Sequence, residues 1–233
     1  MRFVVTGCSR SGTLYTARLL TAAGIPCGHE QVFSPWSGAL HLSEPFAMRP
    51  DLRGDSSFMA APYLDRLRAG DWVLHQVRDP IDVIRSHVGM KFFAEPFVQS
   101  KELAGDHPYY VAIIKDFTPD VFTTPDETAR SARYWVQWNE AIERSAGELG
   151  LRYVRYRIEA LDVDLLRDLA GLLECSLDRA ALEAAFRRPK TTLNTRARDE
   201  SISWDAIVRA SGSQALELAA LAERYGYAVP VRA

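Results

Sequence analysis

The sequence predicts an α/β domain in three layers, a parallel sheet flanked by helices with a helical C-terminal part. Three observations carry this. Apolar, β-prone runs alternate with amphipathic stretches in the order β-α-β-loop-α-β-α-α-β-α, the pattern of parallel strands joined by crossover helices. The first strand stops at a glycine and opens through a short loop into a helix. The chain has 233 residues, 47% hydrophobic and 25% charged, enough apolar material for one core and a length that suits a single domain over 1–233.

Each element has a local cause. The run 2–6 is the first strand, and 12–24 is an amphipathic helix that stops at Gly24 with Pro26 just beyond. Residues 27–33 read as a short strand and its exit. The stretch 34–54 holds Pro, Gly, Ser and the aromatic-type residues Trp36, His41 and Phe46, and reads as a long loop. Asp55-Ser56-Ser57 reads as a cap before a helix over 58–69. Residues 72–78 form a buried strand. Asp79 then suits an N-cap and Pro80 the first helical position, with Ile81, Val83, Ile84 and Ser86 on the helix that follows.

Residues 90–125 read as irregular, rich in aromatics and prolines. Thr124-Pro125-Asp126-Glu127 has capping-box spacing ahead of a long helix over 125–148, which places Ala132, Trp135, Trp138 and Ile142 on one buried stripe. A strand over 151–158 follows, then helices over 161–174 and 178–187. The stretch 187–198 carries five cations and no apolar periodicity, so it reads as a basic loop. Helices over 203–211 and 213–225 close the chain.

Function is concentrated in two stretches. The first is Gly7-Cys8-Ser9-Arg10-Ser11-Gly12-Thr13. A strand–tight loop–helix order aims successive backbone N–H groups at one point, on the positive end of a helix dipole, and that point takes an anion, most often a phosphate. The glycine spacing is P-loop-like. A Walker loop places Lys and then Ser or Thr after the second glycine, for phosphate and magnesium. Thr13 and Leu14 stand there instead, and the cation, Arg10, lies inside the loop. Ser9, Arg10, Ser11, Gly12, Thr13 and Leu14 would line the cradle. The second stretch is Arg78 through Ser86. A guanidinium at a strand end and a hydroxyl eight residues on suit a phosphate monoester when the segment turns helical at Pro80.

Together, in this order, the two stretches resemble the P-loop sulfotransferases that use 3′-phosphoadenosine 5′-phosphosulfate (PAPS). The first resembles their 5′-phosphosulfate loop and the second their 3′-phosphate element. The resemblance covers roughly residues 2–200, and its specific motifs are these two. Weaker likenesses are Tyr134-Trp135 with Trp138-Asn139, and 154–161, which departs from the family's Arg-Tyr-Glu-Asp-Leu element at 157–160.

The resemblance implies an enzyme that transfers a sulfuryl group from PAPS to an acceptor hydroxyl, leaving 3′-phosphoadenosine 5′-phosphate (PAP), with no metal required. Glu30, twenty residues after Arg10, matches by position the base of the protein-tyrosine and heparan-type enzymes. His29 is the alternative base. Adjacent strand residues face opposite ways, which suits one of the two. In the basic loop, Lys190, Asn194 or Arg196 would close over the nucleotide. The acceptor would be a small-molecule or glycan-type hydroxyl. Two other readings stay open: a P-loop nucleotide or small-molecule kinase, with Asp79 as its magnesium-side carboxylate, and a non-catalytic nucleotide-binding protein on the same fold.

Bulk properties exclude other classes. A net charge of −2 gives no electrostatic argument for nucleic acid. Cys8, Cys27 and Cys175 form neither a disulfide framework nor a zinc pattern. The first residues enter a strand directly, and no apolar run approaches the roughly twenty residues of a membrane span, so the expected location is the cytoplasm.

Overall fold

The computed structural model describes residues 2–34, 45–94, 108–187 and 198–230. Five strands form one sheet: β1 (Phe3–Thr6), β2 (Cys27–His29), β3 (Gly54–Ser56), β4 (Trp72–Val77) and β5 (Arg152–Arg157). The order is β2-β3-β1-β4-β5 and every neighbouring pair is parallel. The helices are α1 (Thr13–Ala22), between β1 and β2; α2 (Pro80–Gly89), α3 (Pro108–Phe117) and α4 (Glu127–Glu148), between β4 and β5; and α5 (Val163–Leu172), α6 (Arg179–Arg187), α7 (Trp204–Ser211) and α8 (Gln214–Arg224), after the last strand. The fold is α/β with a parallel sheet, and its C-terminal part is helical. No helix among the described residues is long and apolar enough to cross a membrane.

The chain forms two units interleaved in sequence, Met1–Val77 with Ile142–Asn194, and Arg78–Ala141 with Thr195–Ala233. The first unit holds the sheet. Phe3, Val5, Leu74 and Tyr156 point to one face and are buried against Leu19 and Leu20 of α1, Leu166 and Leu169 of α5, and Leu182 of α6. The period of two along β1 and the period of 3.6 along the helices meet in this core. Gly54 is fixed by the same packing, because a Cβ there would lie 2.3 Å from the Phe3 ring.

The second unit is organised on α2 and α4. Tyr134 and Trp138 of α4 are fully buried, and His87 of α2 sits in an aromatic box with Phe92, Phe93 and Tyr134. Arg130 donates to the carbonyls of Thr124 (2.6 Å) and Phe93 (2.9 Å) and ties the loops into this cluster. The Trp135 and Tyr225 rings meet at a tilt, with centroids 5.6 Å apart. The stripe Ala132, Trp135, Trp138 and Ile142 is buried as the period predicts.

Four sequence expectations are corrected. Gly54-Asp55-Ser56 is strand β3, near the middle of the sheet, where a helix cap was expected; only Ser57 caps, accepting from the N–H of Met59. The segment Phe58–Arg66 is 3₁₀-helical and contains Pro62, which removes an α-helical donor. The irregular stretch 90–125 contains α3 and a 3₁₀ turn over Pro119–Thr123. The cap of α4 is Asp126, whose carboxylate accepts from the N–H of Ala129, while Glu127 accepts from the N–H of Phe93 instead of turning back to Thr124. Trp36 and His41 lie outside the described residues.

The two loop glycines are required for different reasons. Gly12 has φ 98°, a left-handed conformation that costs another residue about 1–2 kcal/mol. A Cβ on it would meet side chains only, the Gln76 amide at 3.3 Å and Ile158 at 3.4 Å, distances that small shifts relieve. A Cβ on Gly7 would lie 2.0 Å from the Gln76 carbonyl oxygen, which is sheet backbone and cannot yield. We therefore expect Gly7→Ala to cost ~3 kcal/mol or more, and Gly12→Ala clearly less. Thermal unfolding of the two variants checks the ranking, and equal losses would contradict it.

Candidate functional site

The topology selects one sheet edge. After β1 the chain goes to β2 on one side, and after β4 it goes on to β5 on the other, while β1 and β4 are neighbours with Thr6 opposite His75. The switch point of the sheet is therefore at the carboxyl ends of β1 and β4, where open α/β sheets form their ligand crevice. The Gly7–Gly12 loop follows β1. Arg78 is the residue after the last residue of β4.

The loop is a tight backbone turn. Ser11 N–H donates to the Cys8 carbonyl (3.2 Å), and Arg10 takes φ 69°. Gly12 occupies the N-cap of α1, so the helix start receives no side-chain cap, and its first turn holds no acidic residue. Such a start leaves N–H groups and a positive dipole end for an anion. The Ser11 hydroxyl is fully buried at this helix start and makes no hydrogen bond among the described residues, so it is available as a donor to an anion. Ser9 and Thr13 are buried, and Arg10 and Leu14 are half-buried.

One side chain that sequence reasoning missed holds this loop. Gln76, fully buried near the end of β4, donates from Nε2 to the Ser11 carbonyl (2.6 Å), and its Oε1 accepts from the hydroxyls of Thr16 and Tyr156 (the latter 2.7 Å). Loop, α1, β4 and β5 are joined at one amide. The available signal was a polar pair, His75-Gln76, inside an otherwise apolar strand.

Glu30 follows β2 with φ 53°. That left-handed step corrects the expectation that His29 and Glu30 face opposite ways: strand alternation ends at His29, and His29 Nε2 lies 4.0 Å from Glu30 Oε1. His29 Nε2 is also 3.3 Å from the Thr13 hydroxyl, and the Thr13 carbonyl accepts from the Ser56 hydroxyl (2.8 Å), so both candidate bases are linked to the start of α1. Burial, and secondarily the Asp55 carboxylate, push the Glu30 carboxyl up to about 7. Burial lowers His29, against the pull of Asp55 and with a smaller push from Arg18. A carboxyl near 7 is suited to proton transfer at neutral pH.

The second stretch forms as expected at its helix. Asp79 Oδ1 accepts from the N–H of Ile81 (2.8 Å) and of Asp82 (3.4 Å), Pro80 stands in the first turn, and α2 carries Ser86, which is 2% exposed. The Arg78 carbonyl accepts from the Trp135 indole (3.0 Å). The Arg78 guanidinium donates to Asp82 Oδ2 at 2.8 Å, and the other oxygen of Asp82 lies 3.4 Å from Arg198 Nη1. One carboxylate thus gathers two guanidinium groups. Beyond Arg198 the chain is strapped to α2: Asp199 N–H donates to the Arg85 carbonyl (3.0 Å), and Arg85 Nε donates to the Ile202 carbonyl (2.8 Å). Lys190, Asn194 and Arg196 lie outside the described residues. Arg198 and Asp82 were missed at the sequence level, because no periodicity links the basic loop to α2.

Comparisons with protein-family models, with curated proteins and with solved structures find no match.

Proposed function

We propose that this chain is a sulfotransferase that moves a sulfuryl group from PAPS to an acceptor hydroxyl. The observation that carries the reading is the anion cradle at the start of α1: an uncapped helix N-terminus, a buried Ser11 hydroxyl with no partner, and Arg10 set within the turn. The donor set fits a 5′-phosphosulfate, with N–H groups, a hydroxyl and one guanidinium around an anion. It does not fit a Walker site. Thr13 stands where the lysine belongs, and its hydroxyl lies beside His29. Asp79, the candidate magnesium carboxylate of a kinase, caps α2 with the oxygen that accepts from Ile81 and Asp82.

PAPS supplies the sulfuryl group: its sulfur–oxygen bond to phosphate breaks as a new one forms to the acceptor oxygen. Arg10, the Ser11 hydroxyl and the N–H groups of Gly12 and Thr13 hold the leaving phosphate and stabilise its charge. Glu30 takes the acceptor proton, with His29 beside it. Arg78 and Ser86 hold the 3′-phosphate, which separates this nucleotide from AMP and ATP. As in phosphoryl transfer, positioning and charge stabilisation do most of the work.

A thermal-shift panel tests the reading. PAP without magnesium is expected to stabilise the protein well beyond AMP, ADP or ATP at equal concentration, since stabilisation follows affinity. A larger, magnesium-dependent shift with ATP would replace the proposal with a kinase. PAP binding without turnover on any acceptor would replace it with a binding protein.

A further inference from the structure

The turn that presents Glu30 is held by a residue with no part in the scheme above. Asp55 lies on β3 and is fully buried. Its two oxygens accept from three successive backbone N–H groups: Gln31 to Oδ1 at 3.2 Å, Val32 to Oδ2 at 3.2 Å and Phe33 to Oδ2 at 3.0 Å. The strand adds two more ties. Glu30 N–H donates to the Ser56 carbonyl (3.3 Å), and the Ser57 hydroxyl donates to the Phe33 carbonyl (2.6 Å). Room for the carboxylate depends on Gly28, where a Cβ would lie 2.6 Å from Asp55 Oδ1.

Such a turn over-determines a strained residue. Glu30 at φ 53° pays for a conformation that L-residues avoid, and it persists because its neighbours' N–H groups are all engaged. A buried carboxylate could cap a turn anywhere. This one caps the turn that starts at the candidate base, and it brings a negative charge to it.

We infer that Asp55 is the positioning residue of Glu30: its carboxylate fixes the 30–33 turn through three N–H groups and stands as a second, buried carboxylate at the turn that begins at Glu30. The inference rests on the proposed role of Glu30 as base, but its physical part is independent of that role. Burial is the larger influence on Glu30 and Asp55 the second, both favouring the protonated carboxyl. Among the described residues, the charges that act on His29 are Asp55 and Arg18 of α1, and Cys27 of β2 feels the same Asp55. Cys27 is itself pushed well up, by burial and by Asp55, and so adds no negative charge near neutral pH.

The test is the carboxyl titration of Glu30, followed by NMR in the full chain and in Asp55→Asn. In the native chain a midpoint well above the ordinary 4.5 is expected. In Asp55→Asn the midpoint should fall by about half a unit or more, a threefold or greater loss of proton affinity. A midpoint at the ordinary value in the native chain overturns the inference even if the variant does not fold. An unmoved midpoint in a folded variant overturns it as well. With PAPS and an acceptor, the pH midpoint of turnover should move with the NMR value, a change that loss of stability alone does not produce. A shifted Glu30 titration in a protein that turns over no acceptor keeps the Asp55 inference and removes the sulfotransferase reading.

Discussion

Glu30→Gln is expected to lower sulfuryl-transfer turnover by about 10²-fold or more while leaving PAP affinity within about threefold. The amide keeps the size and hydrogen-bonding shape of the carboxyl but cannot accept the acceptor's proton. The loss should appear in kcat, because the proposed role sets Glu30 on the acceptor and not on the nucleotide. The pH dependence follows from the raised carboxyl. If the proposed reaction holds, turnover should climb as Glu30 deprotonates through about 7, and this limb should vanish in the variant. The stability effect has a definite sign too. The folded value lies above the ordinary 4.5, so the fold favours the protonated form. That stability is complete below 4.5 and is lost as the pH rises through about 7. Glu30→Gln should therefore melt higher than the native protein at pH 8 and about level with it at pH 4. Unchanged turnover removes Glu30 from the role and transfers the question to His29, which lies beside it.

How legible the fold was depended on whether its signals were local. The strands at 3–6, 72–77 and 152–157 and the helices at 80–89 and 127–148 were readable, because each is long or periodic enough to bury one face and most carry their own stop or start. β3 was not. Its three residues, Gly54-Asp55-Ser56, are a glycine and two polar residues, and they pair in the sheet because β1 and β2 flank them, not because their side chains prefer strands. The same misreading hid Asp55, since an Asp before two serines looks like a cap until its long-range partners are known. The loop cradle was legible because strand, glycines and helix lie within a dozen residues. Gln76, Asp82 and Arg198 were not, because their roles join residues far apart in sequence. Local sequence announced the strand, the turn and the uncapped helix start. The side chains that brace this turn are tertiary.

Arg78→Ala is expected to weaken PAP binding by about 10- to 100-fold, and AMP binding by no more than about threefold. The magnitude comes from weighing two pairings of the same guanidinium. In the structure Arg78 is held by Asp82, four residues along α2, with the side chains 20% and 32% exposed. A partly exposed i,i+4 pair is worth about 0.3–0.5 kcal/mol. A phosphate dianion offers charge-assisted, often bidentate hydrogen bonds worth about 1.5–3 kcal/mol. A 3′-phosphate would therefore win the guanidinium from Asp82 with most of its advantage intact, and its loss would read as one to two decades in Kd. AMP has no 3′-phosphate and makes no call on Arg78, so it serves as the internal control for folding. Arg78→Lys should fall between the two, because an ammonium keeps the charge but not the planar fork. Isothermal titration of both nucleotides on the three proteins checks the ordering. Equal losses for PAP and AMP would mean that Arg78 serves the fold through Asp82 and not a 3′-phosphate, and the second anion grip would have to be sought elsewhere on the chain.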